Sequence, residues 1–270
     1  MPLVSILTTE YAPSARYVEE TVRAVEQLKL PDGWELEWVV QEDGAAPSLG
    51  DRYGAVPFAR YEANGAQLGI AGTRNLGLSR VSGDLVQVLD HDDVPLPHSL
   101  ATMIPPFDDP SVHWAVGQAD DLLPGGAREP WDSALPYGMV APGVANDWAI
   151  GHAGNWPVHC AGLMVRTATL RAVGGWAGIP CDDDVAMFAG LSEVTAGWNE
   201  PAVTWLYRQH ATQVHRSGRW TSRAAEGRRI ALERVAALRA SGLSRAGSRP
   251  AFDPAAVVGP VHPDKDRYAV

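Results

Sequence analysis

Residues 85–97 read LVQVLDHDDVPLP, an apolar run that ends in the cluster Asp90, His91, Asp92 and Asp93. Leu85–Leu89 is predicted to be a buried strand, because it is short, rich in Val and Leu, and preceded by a Gly-Asp turn signal. Three carboxylates at the C-terminal end of such a strand repel one another unless a cation or a bound hydroxyl group separates them. Mg²⁺ and Mn²⁺ prefer hard oxygen ligands and complete their shell with water and substrate phosphates. The spacing therefore predicts a metal-bridged nucleoside diphosphate, with an acidic helix-capping turn as the alternative.

The composition is typical of one large globular domain, or of one and a half. At 270 residues and 46% apolar composition, the chain can bury a sizeable core. No apolar run approaches the roughly 18 residues of a membrane span, and the N-terminus enters a strand pattern without the regions of a signal peptide. Cys160 and Cys181 are the two cysteines, which fits a reducing compartment and gives no disulfide framework. We therefore expect a cytoplasmic protein with no integral membrane segment.

The charge balance narrows the class of partner. The formal net charge of −10 argues against binding to nucleic acid or to an anionic membrane surface. An acidic enzyme can still hold a polyphosphate when a divalent metal supplies the local positive charge.

Strand and helix patterns alternate through the first half of the chain, which predicts an α/β domain with a mostly parallel sheet. A helix is expected from about Ala15, with Ser14 as its N-cap, and another over the Gly-punctuated segment GIAGTRNLGLSRVSG. Besides Leu85–Leu89, the predicted strands are Val4–Thr9, Trp34–Val40, Phe58–Ala63 and His113–Gln118.

The second half begins with residues 124–158, which are rich in Gly, Pro, Trp and His and show no clear periodicity. A segment this long and irregular inside a compact domain is more often a substrate loop than filler. Beyond it we predict strands at Gly162–Val165 and Val203–Arg208, and helices at Thr167–Val173, near Asp182 and at Ser222–Ala240. The last helix has Ile230, Val235 and Leu238 on its apolar side and is followed by a Pro- and Arg-rich tail.

Five segments in this order resemble a family-2 glycosyltransferase of the GT-A fold, over roughly residues 3–220. They are VSILTTEYAP, VVQEDGA, the central block from NGAQLGIAGTRN to LDHDDVPLP, GLMVRTATLRAVGGW and CDDDVAMFAGL. The resemblance implies a GT-A, Rossmann-like nucleotide-diphospho-sugar transferase fold with a mostly parallel central sheet flanked by helices. It places the catalytic domain at 1–221, with a nucleotide-binding half at about 1–118 and an acceptor half at about 119–221. Residues 222–270 form the C-terminal helix and tail.

The same resemblance implies a DxD-type metal site for Mn²⁺ or Mg²⁺. Asp92 would be the main metal ligand, and Asp90 would meet the ribose or the metal. His210, in a closing Tyr-Arg-x-His segment, would complete the metal shell or serve a structural role. Asp93 would orient the site or contact the sugar, and His91 departs from the small residue usual at its position.

The nucleobase pocket is expected at the ends of the first strands, because open α/β sheets bind ligands at their carboxyl edge. Thr9, Glu10 and Tyr11 match the loop that passes under the base, and Asp43 matches the residue that accepts from the base edge. Arg74, which precedes Asn75, resembles the arginine that faces the nucleotide.

The acidic run Asp182-Asp183-Asp184 is the candidate general base. Inverting transfer needs a carboxylate that takes the proton of the acceptor hydroxyl as its oxygen attacks the anomeric carbon. The alignment places the family's acidic pair on Asp183 and Asp184, and we favour Asp184, with Asp183 as the alternative. Capping of the following helix by three acids would explain the run without catalysis.

The predicted function is transfer of a sugar from a nucleotide diphosphate donor to a hydroxyl acceptor, as in hexosyltransferases. A UDP-sugar is the favoured donor, with GDP- or dTDP-sugars possible, and the acceptor is unknown. A sugar-phosphate nucleotidyltransferase and an inactive nucleotide-sugar binding protein are the alternatives. A homodimer contact through the C-terminal segment is open.

Other polar and aromatic residues have two interpretations each. They line the substrate sites, or they pack and solvate the fold. On the diphosphate side they are Arg208, Arg216 and Arg219, and on the acceptor side Trp131, Trp148, Trp156, His152 and His159.

Overall fold

The structure, a computed structural model, describes residues 1–247 and 249–259. Its strands are β1 (Leu3–Tyr11), β2 (Glu35–Asp43), β3 (Ala59–Ala63), β4 (Leu85–Val88), β5 (Val94–Pro95), β6 (Val112–Leu122), β7 (Arg128–Pro130), β8 (Gly138–Val140), β9 (Leu163–Arg166) and β10 (Ala196–Arg208). Its α-helices are α1 (Val18–Glu26), α2 (Gly50–Tyr53), α3 (Ile70–Arg80), α4 (Ser99–Met103), α5 (Val144–Gly151), α6 (Thr167–Ala172), α7 (Asp183–Val194), α8 (Gly218–Thr221), α9 (Ala224–Ser241) and α10 (Pro254–Val257). None of the described helices has the length and apolar character needed to cross a membrane.

One sheet carries the fold, in the order β3-β2-β1-β4-β9-β6-β10-β5, with β7 paired to β6 and β8 to β10. The strands β3, β2, β1 and β4 are parallel, as are β6 and β10, and β9 runs antiparallel between the two groups. Because the long strands point the same way, their carboxyl ends meet at one edge, where open α/β sheets bind ligands. The predicted mostly parallel α/β sheet flanked by helices is confirmed.

The alternating side chains of β1 face two separate parts of the core. Val4 and Ile6 pack in a cluster with Trp38 from β2, whereas Leu7 packs in the cluster that contains Phe188 of α7. Helix α3 approaches β1 closely at Gly77, where a Cβ atom would lie 2.5 Å from Leu7 Cδ1. The glycines of the predicted α3 segment therefore bring this helix, and the arginine it carries, close to the sheet.

Three elements differ from the sequence predictions. The helix expected from about Ala15 begins as a 3₁₀ turn over Ala12–Tyr17, with a proline in its first positions, and becomes α-helical at Val18. The segment 124–158 contains β7, β8 and α5, so it is less irregular than its composition suggests. Strand β10 begins at Ala196 and passes Pro201 through irregular pairing with β6, which hides its first half from a periodicity argument.

The C-terminal helix is integral to the core. The carboxylate of Glu193 on α7 is fully buried and accepts from Arg239 of α9 at Nε and Nη2, at 3.0 and 3.1 Å. Asp147 on α5 pairs with Arg239 and with Arg249 of the following segment. The helix predicted at Ser222–Ala240 is therefore clamped to α5 and α7. Residue 248 and residues 260–270 of the predicted tail lie outside the described residues.

Candidate active site

A buried arginine connects the acidic motif after β4 to the acidic start of α7. Arg74 is 3% exposed, and its Nη2 donates to Asp90 Oδ1 at 2.8 Å while its Nη1 donates to Asp183 Oδ2 at 3.1 Å. Burial disfavours the charged guanidinium, but Asp90 and Asp183 outweigh it and raise the pKa of Arg74. Asp90 and Asp183 would repel each other, and the permanent positive charge of Arg74 holds their carboxylates together.

The second aspartate of the motif meets the predicted histidine. His210 Nε2 lies 2.7 Å from Asp92 Oδ2, and both side chains are largely buried. Burial opposes ionisation of Asp92, yet the hydrogen bond from His210 and the nearby charge of His91 lower its pKa. A carboxylate and an imidazole, separated by more than a hundred residues in sequence, therefore lie together at this edge.

Arg208, at the end of β10, fixes the backbone of the same loop. Its main-chain N–H donates to Asp93 Oδ1 at 3.0 Å, and its Nε donates to the carbonyl oxygen of Asp92 at 2.7 Å. The guanidinium also pairs with Glu20 at 2.8 Å and lies over the ring of Tyr17. Asp93 is 1% exposed, and burial together with the charges of Asp92 and Asp90 holds its pKa well above the usual range. Asp93 therefore anchors the loop from inside, and the Arg208 side chain is occupied by contacts within the protein.

His91 contacts the segment that follows β1. Its Nε2 lies 2.8 Å from Ser14 Oγ, and its carbonyl oxygen accepts from Thr21 Oγ1 at 2.9 Å. The residue that departs from the family pattern thus ties the motif to the segment after β1.

Two buried carboxylates lie side by side near the ends of β1 and β2. Glu10 and Glu42 are neighbours in the β1–β2 register, and each is 1% exposed. Tyr53 donates to Glu10, and Tyr61 donates to Glu42, with the two phenol rings stacked. Burial raises the pKa of Glu10 to about 7, although His91 and the Tyr53 hydroxyl act in the opposite direction. The sequence placed Glu10 in the base-binding loop, but its partner Tyr53 carries no motif.

Asp43 holds the loop that leads into α3. Its Oδ1 accepts from Asn64 Nδ2 at 3.0 Å and from the Leu68 N–H at 2.6 Å, and its Oδ2 accepts from the Gly69 N–H at 3.0 Å. Thr9 is 9% exposed and Tyr11 is 39% exposed, so of the strand-end residues Tyr11 presents the most surface. These positions lie at the expected edge, and contact with a base stays a prediction.

The three acids before α7 have different surroundings. Asp182 adopts a left-handed backbone at φ 55°, is 4% exposed and lies 3.9 Å from Arg228. Asp183 is also 4% exposed and is held by Arg74; burial raises its pKa to about 7 against the charge of Arg74, and Asp184 adds to the rise. Asp184 is only partly buried, and its Oδ1 accepts from the Val185 N–H at 2.7 Å. Of the run, Asp184 is the most exposed residue.

Helix α3 is also tied to the loop before α7. Asn75 Nδ2 donates to the Trp176 carbonyl oxygen at 2.8 Å, and the Trp176 N–H donates to Asn75 Oδ1 at 3.0 Å. A Cβ atom at Gly175 would lie 2.3 Å from Asn75 Oδ1, so this approach requires glycine. In the predicted Arg-Asn pair, Arg74 thus holds the acidic residues, and Asn75 holds the loop that leads to α7.

A cleft with an empty volume of about 540 Å³ opens on the acceptor half. Its polar and aromatic lining comprises Gln118, Trp131, Asp132, Ser133, His159, Asn199 and Tyr207. Trp156 is 3% exposed and donates to Asn146, and Trp148 stacks on His152, so these residues pack within the fold. Arg216 donates to Gln209, and Arg219 is exposed. The sequence predicts Trp131 and His159 as candidates for the acceptor side. It gives no indication of Gln118 and Tyr207, because a residue inside a strand pattern does not stand out as part of a binding site.

The residues at the acidic motif fit a divalent metal in part. Asp92 and His210 offer a carboxylate oxygen and an imidazole nitrogen, both suitable for Mn²⁺. Within the part of the chain that the structure describes, no group of three or more His, Cys, Asp or Glu side chains is arranged to hold a metal by itself. The substrate phosphates would therefore have to supply the remaining ligands, as Mg²⁺ and Mn²⁺ sites commonly require.

The profile of glycosyl transferase family 2 matches residues 11–157, just over half of the chain. The chain belongs to glycosyl transferase family 2. The matched range runs from the last residue of β1 through α5 and includes the acidic motif, Arg74 and Asp43. The predicted family is thereby confirmed. No curated protein sequence matches the chain.

Solved structures share the fold of this family-2 chain. S. aureus TarS 1-349 in complex with UDP-GlcNAc is 15% identical with a TM-score of 0.67, and the match covers 87% of this chain and 66% of that one. The same TarS fragment in complex with UDP gives a TM-score of 0.63 at 15% identity, covering 87% of this chain and 65% of that one. S. aureus TarS itself gives 0.66 at 14% identity, with 92% of this chain and 41% of that chain covered. The GT-A fold is shown, and the chain spans about two thirds or less of these relatives.

Proposed function

We propose that this protein is an inverting, metal-dependent glycosyltransferase that uses a nucleotide diphosphate sugar. The observation that carries the proposal is that Arg74 joins Asp90 of the acidic motif to Asp183 at the start of α7, while Asp92 of the same motif meets His210, all at the carboxyl edge of the sheet. Direct displacement at an anomeric carbon needs metal ligands for the departing diphosphate and a group that accepts the proton of the acceptor hydroxyl. The candidates for these two roles lie on opposite sides of Arg74.

A uridine diphosphate sugar is the proposed donor. Two TarS structures that share the fold contain UDP-GlcNAc and UDP, which supports this donor class for the present chain. Tyr11, the exposed end of β1, and Asp43 would form the base pocket, and the carboxyl group of Asp90 would receive a ribose hydroxyl on the side not occupied by Arg74. GDP- and dTDP-sugars are the alternatives to be tested.

Mn²⁺ or Mg²⁺ would be held by Asp92 and His210, with Asp90 as a further candidate, and would neutralise charge on the departing diphosphate. The low pKa of Asp92 keeps its carboxylate ionised for this role. Arg208 and Asp93 hold the loop so that Asp92 faces His210. The protein's own contribution here is a prearranged pair of ligands.

Asp184 is the proposed general base. As the acceptor oxygen attacks the anomeric carbon, its proton passes to the Asp184 carboxylate, and the bond from that carbon to the diphosphate oxygen breaks. Asp183 is unsuited to this role, because it is buried and one of its oxygens is bound by Arg74. A positioned base of this type contributes a factor of about 10² to 10⁴ in rate.

The test is to incubate the protein with UDP-α-GlcNAc, Mn²⁺ and a panel of sugar acceptors while following UDP release by ³¹P NMR. Product with a β-anomeric proton coupling would support inversion, and an α product would contradict it. UDP release into water without acceptor would support donor use alone. Binding without any release, over the panel and with GDP- and dTDP-sugars, would favour the inactive binding protein. A cytoplasmic location and a homodimer stay predictions.

A further inference from the structure

The cleft on the acceptor half lies next to the proposed metal ligands. Tyr207, on β10, lines the cleft, and the chain continues directly through Arg208 to His210, which meets Asp92. Asp121, fully buried on β6, accepts from Trp131 Nε1 at 2.8 Å and from Gln209 Nε2 at 3.0 Å. One buried carboxylate therefore joins the cleft wall to the segment that carries His210.

The cleft has a fixed shape. Asn199 is 2% exposed; its Nδ2 donates to Ser133 Oγ and to the Leu135 carbonyl oxygen, both at 2.9 Å, while its Oδ1 accepts from Gln118 at 2.9 Å. His159 packs against the ring of Tyr207, with centroids 4.4 Å apart. Because these hydrogen bonds already order the side chains of the wall, ligand binding costs less conformational entropy.

The lining of the cleft suits a small hydroxyl-bearing ring. Indole and phenol faces contact the apolar faces of rings, while carboxylates and amides accept or donate to hydroxyl groups. Trp131 and Tyr207 supply the first kind of contact, and Asp132 and Gln118 supply the second.

Charge separates this cleft from its neighbour. Among described residues, its lining includes the carboxylate of Asp132 but no lysine or arginine. A second cleft, with an empty volume of about 810 Å³, is lined by Arg16, Arg208 and His210. Arg16 and Arg208 thus line the second cleft, and an anionic ligand in the first would face Asp132 without a compensating lysine or arginine.

We infer that the cleft formed by Trp131, Asp132, His159 and Tyr207 binds the acceptor, and that this acceptor is an uncharged, hydroxyl-bearing sugar ring stacked on Trp131. The inference rests on the proposed function and deepens it by naming the acceptor class. Asp132 accepts from hydroxyl groups of the ring, and its charge selects against phosphorylated acceptors.

The experiment measures binding, by calorimetry and saturation-transfer NMR, of methyl glycosides of glucose, galactose, mannose and N-acetylglucosamine and of their 6-phosphates. All titrations contain UDP and Mn²⁺. At least one neutral glycoside is expected to bind more tightly than its 6-phosphate. Trp131→Ala should weaken that binding about tenfold, which corresponds to about 1.4 kcal/mol; Trp131→Phe should retain most of it, and Tyr137→Ala, at an exposed aromatic outside the cleft, should change nothing. Asp132→Lys should shift preference toward the 6-phosphate by about fivefold, the effect of roughly 1 kcal/mol between close charges in water.

Three results would overturn the inference. They are no binding of any neutral glycoside, tighter binding of the phosphates to the native protein, and unchanged binding in Trp131→Ala. Loss of glycoside binding when UDP-GlcNAc replaces UDP, in the Asp184→Asn variant, would instead assign the cleft to the donor sugar. UDP affinity, measured in each variant, reports folding and separates these outcomes from a failure of the proposed function, in which the native protein would not bind UDP.

Discussion

Arg74 donates from Nη1 to Asp183 Oδ2 at 3.1 Å, with both side chains about 4% to 6% exposed. The same guanidinium reaches Asp90 in the acidic motif. One side chain of α3 therefore sets the distance between the proposed diphosphate site and the helix that carries the proposed base. It also divides the acidic run of α7, because it occupies Asp183 and leaves Asp184 accessible.

Asp184→Asn should lower the rate of sugar transfer by about 10² to 10⁴, since the acceptor proton loses its base, with UDP affinity nearly unchanged. Steady-state kinetics and calorimetry on the same preparations measure both. Asp183→Asn is the matched variant, and its main effect should be on stability. A larger loss of kcat in Asp183→Asn than in Asp184→Asn would contradict the assignment.

Arg74→Met should destabilise the fold by about 3 to 5 kcal/mol, because it leaves a buried carboxylate without its partner. Urea unfolding monitored by tryptophan fluorescence gives the free energy of unfolding. Adding Asp183→Asn should recover part of the loss, since the unpaired charge is then removed. Simple additivity of the two substitutions would show that the pair is not energetically coupled.

His210→Ala should reduce the affinity for Mn²⁺ in the presence of UDP by at least about 10- to 100-fold, the range for losing an outer-shell partner of a metal ligand, because it removes a proposed ligand itself. Electron paramagnetic resonance of free Mn²⁺ measures it directly. The control is His98→Ala, because His98 contacts the Val203 carbonyl away from the acidic motif. Equal Mn²⁺ affinity in the two variants would exclude His210 as a ligand.

Glu10 should make the protein less stable as the pH rises from about 4.5 to about 7. Its pKa is raised from 4.5 to about 7 by burial, so the folded state binds more protons than the unfolded state in this window. The slope is at most about 1.4 kcal/mol per pH unit. Glu10→Gln removes this pH dependence. Urea unfolding of both proteins at pH 5, 6, 7 and 8 should show the stability of the variant rising relative to that of the native protein as the pH rises.

Glu37→Gln provides the comparison of opposite sign. Burial raises the pKa of Glu37, but hydrogen bonds from Ser5, Ser82 and Arg60 outweigh it and lower the pKa below its usual value. Its stabilisation is present above the unfolded pKa and is lost as the pH falls, so this substitution should be most harmful at neutral pH. Parallel pH profiles for the two variants would contradict both assignments.

Arg239→Met should destabilise the protein by about 3 to 5 kcal/mol, because Glu193 would be left fully buried without its cation. The loss should appear as one cooperative transition in thermal unfolding, since α9 is clamped to α5 and α7. Arg229→Met, at an exposed pair with Glu233 on the outer side of α9, should change stability by less than about 1 kcal/mol. A separate early transition would show that α9 melts on its own.

The sequence was sufficient for the fold class and for most of the proposed site. Buried parallel strands are apolar runs bounded by turn residues, so β1, β2 and β4 were found within a few residues. The acidic motif, Arg74 and the run before α7 follow or interrupt such elements in a recognisable order. His210 is a candidate from the sequence because its Tyr-Arg-x-His segment resembles the closing segment of the family.

What the sequence could not supply are the pairings across long separations. Nothing local indicates that Arg74 meets Asp183, that Tyr53 donates to Glu10, or that Asp121 joins Trp131 to Gln209. These contacts depend on strand order and on where helices dock, and they distinguish Asp183 from Asp184. Strand β10 was half missed for a related reason, since an interior proline and irregular pairing erase the alternating pattern.

The most direct test of the account is a calorimetric titration of UDP into the protein with Mn²⁺, and again with the metal removed by EDTA. The account predicts one UDP per chain with Mn²⁺ and a loss of at least tenfold in affinity without it, with GDP, dTDP and CDP binding more weakly. Binding of none of these nucleotides by folded, Mn²⁺-loaded protein would contradict it. UDP affinity that does not change when Mn²⁺ is removed would contradict the metal site at Asp92 and His210.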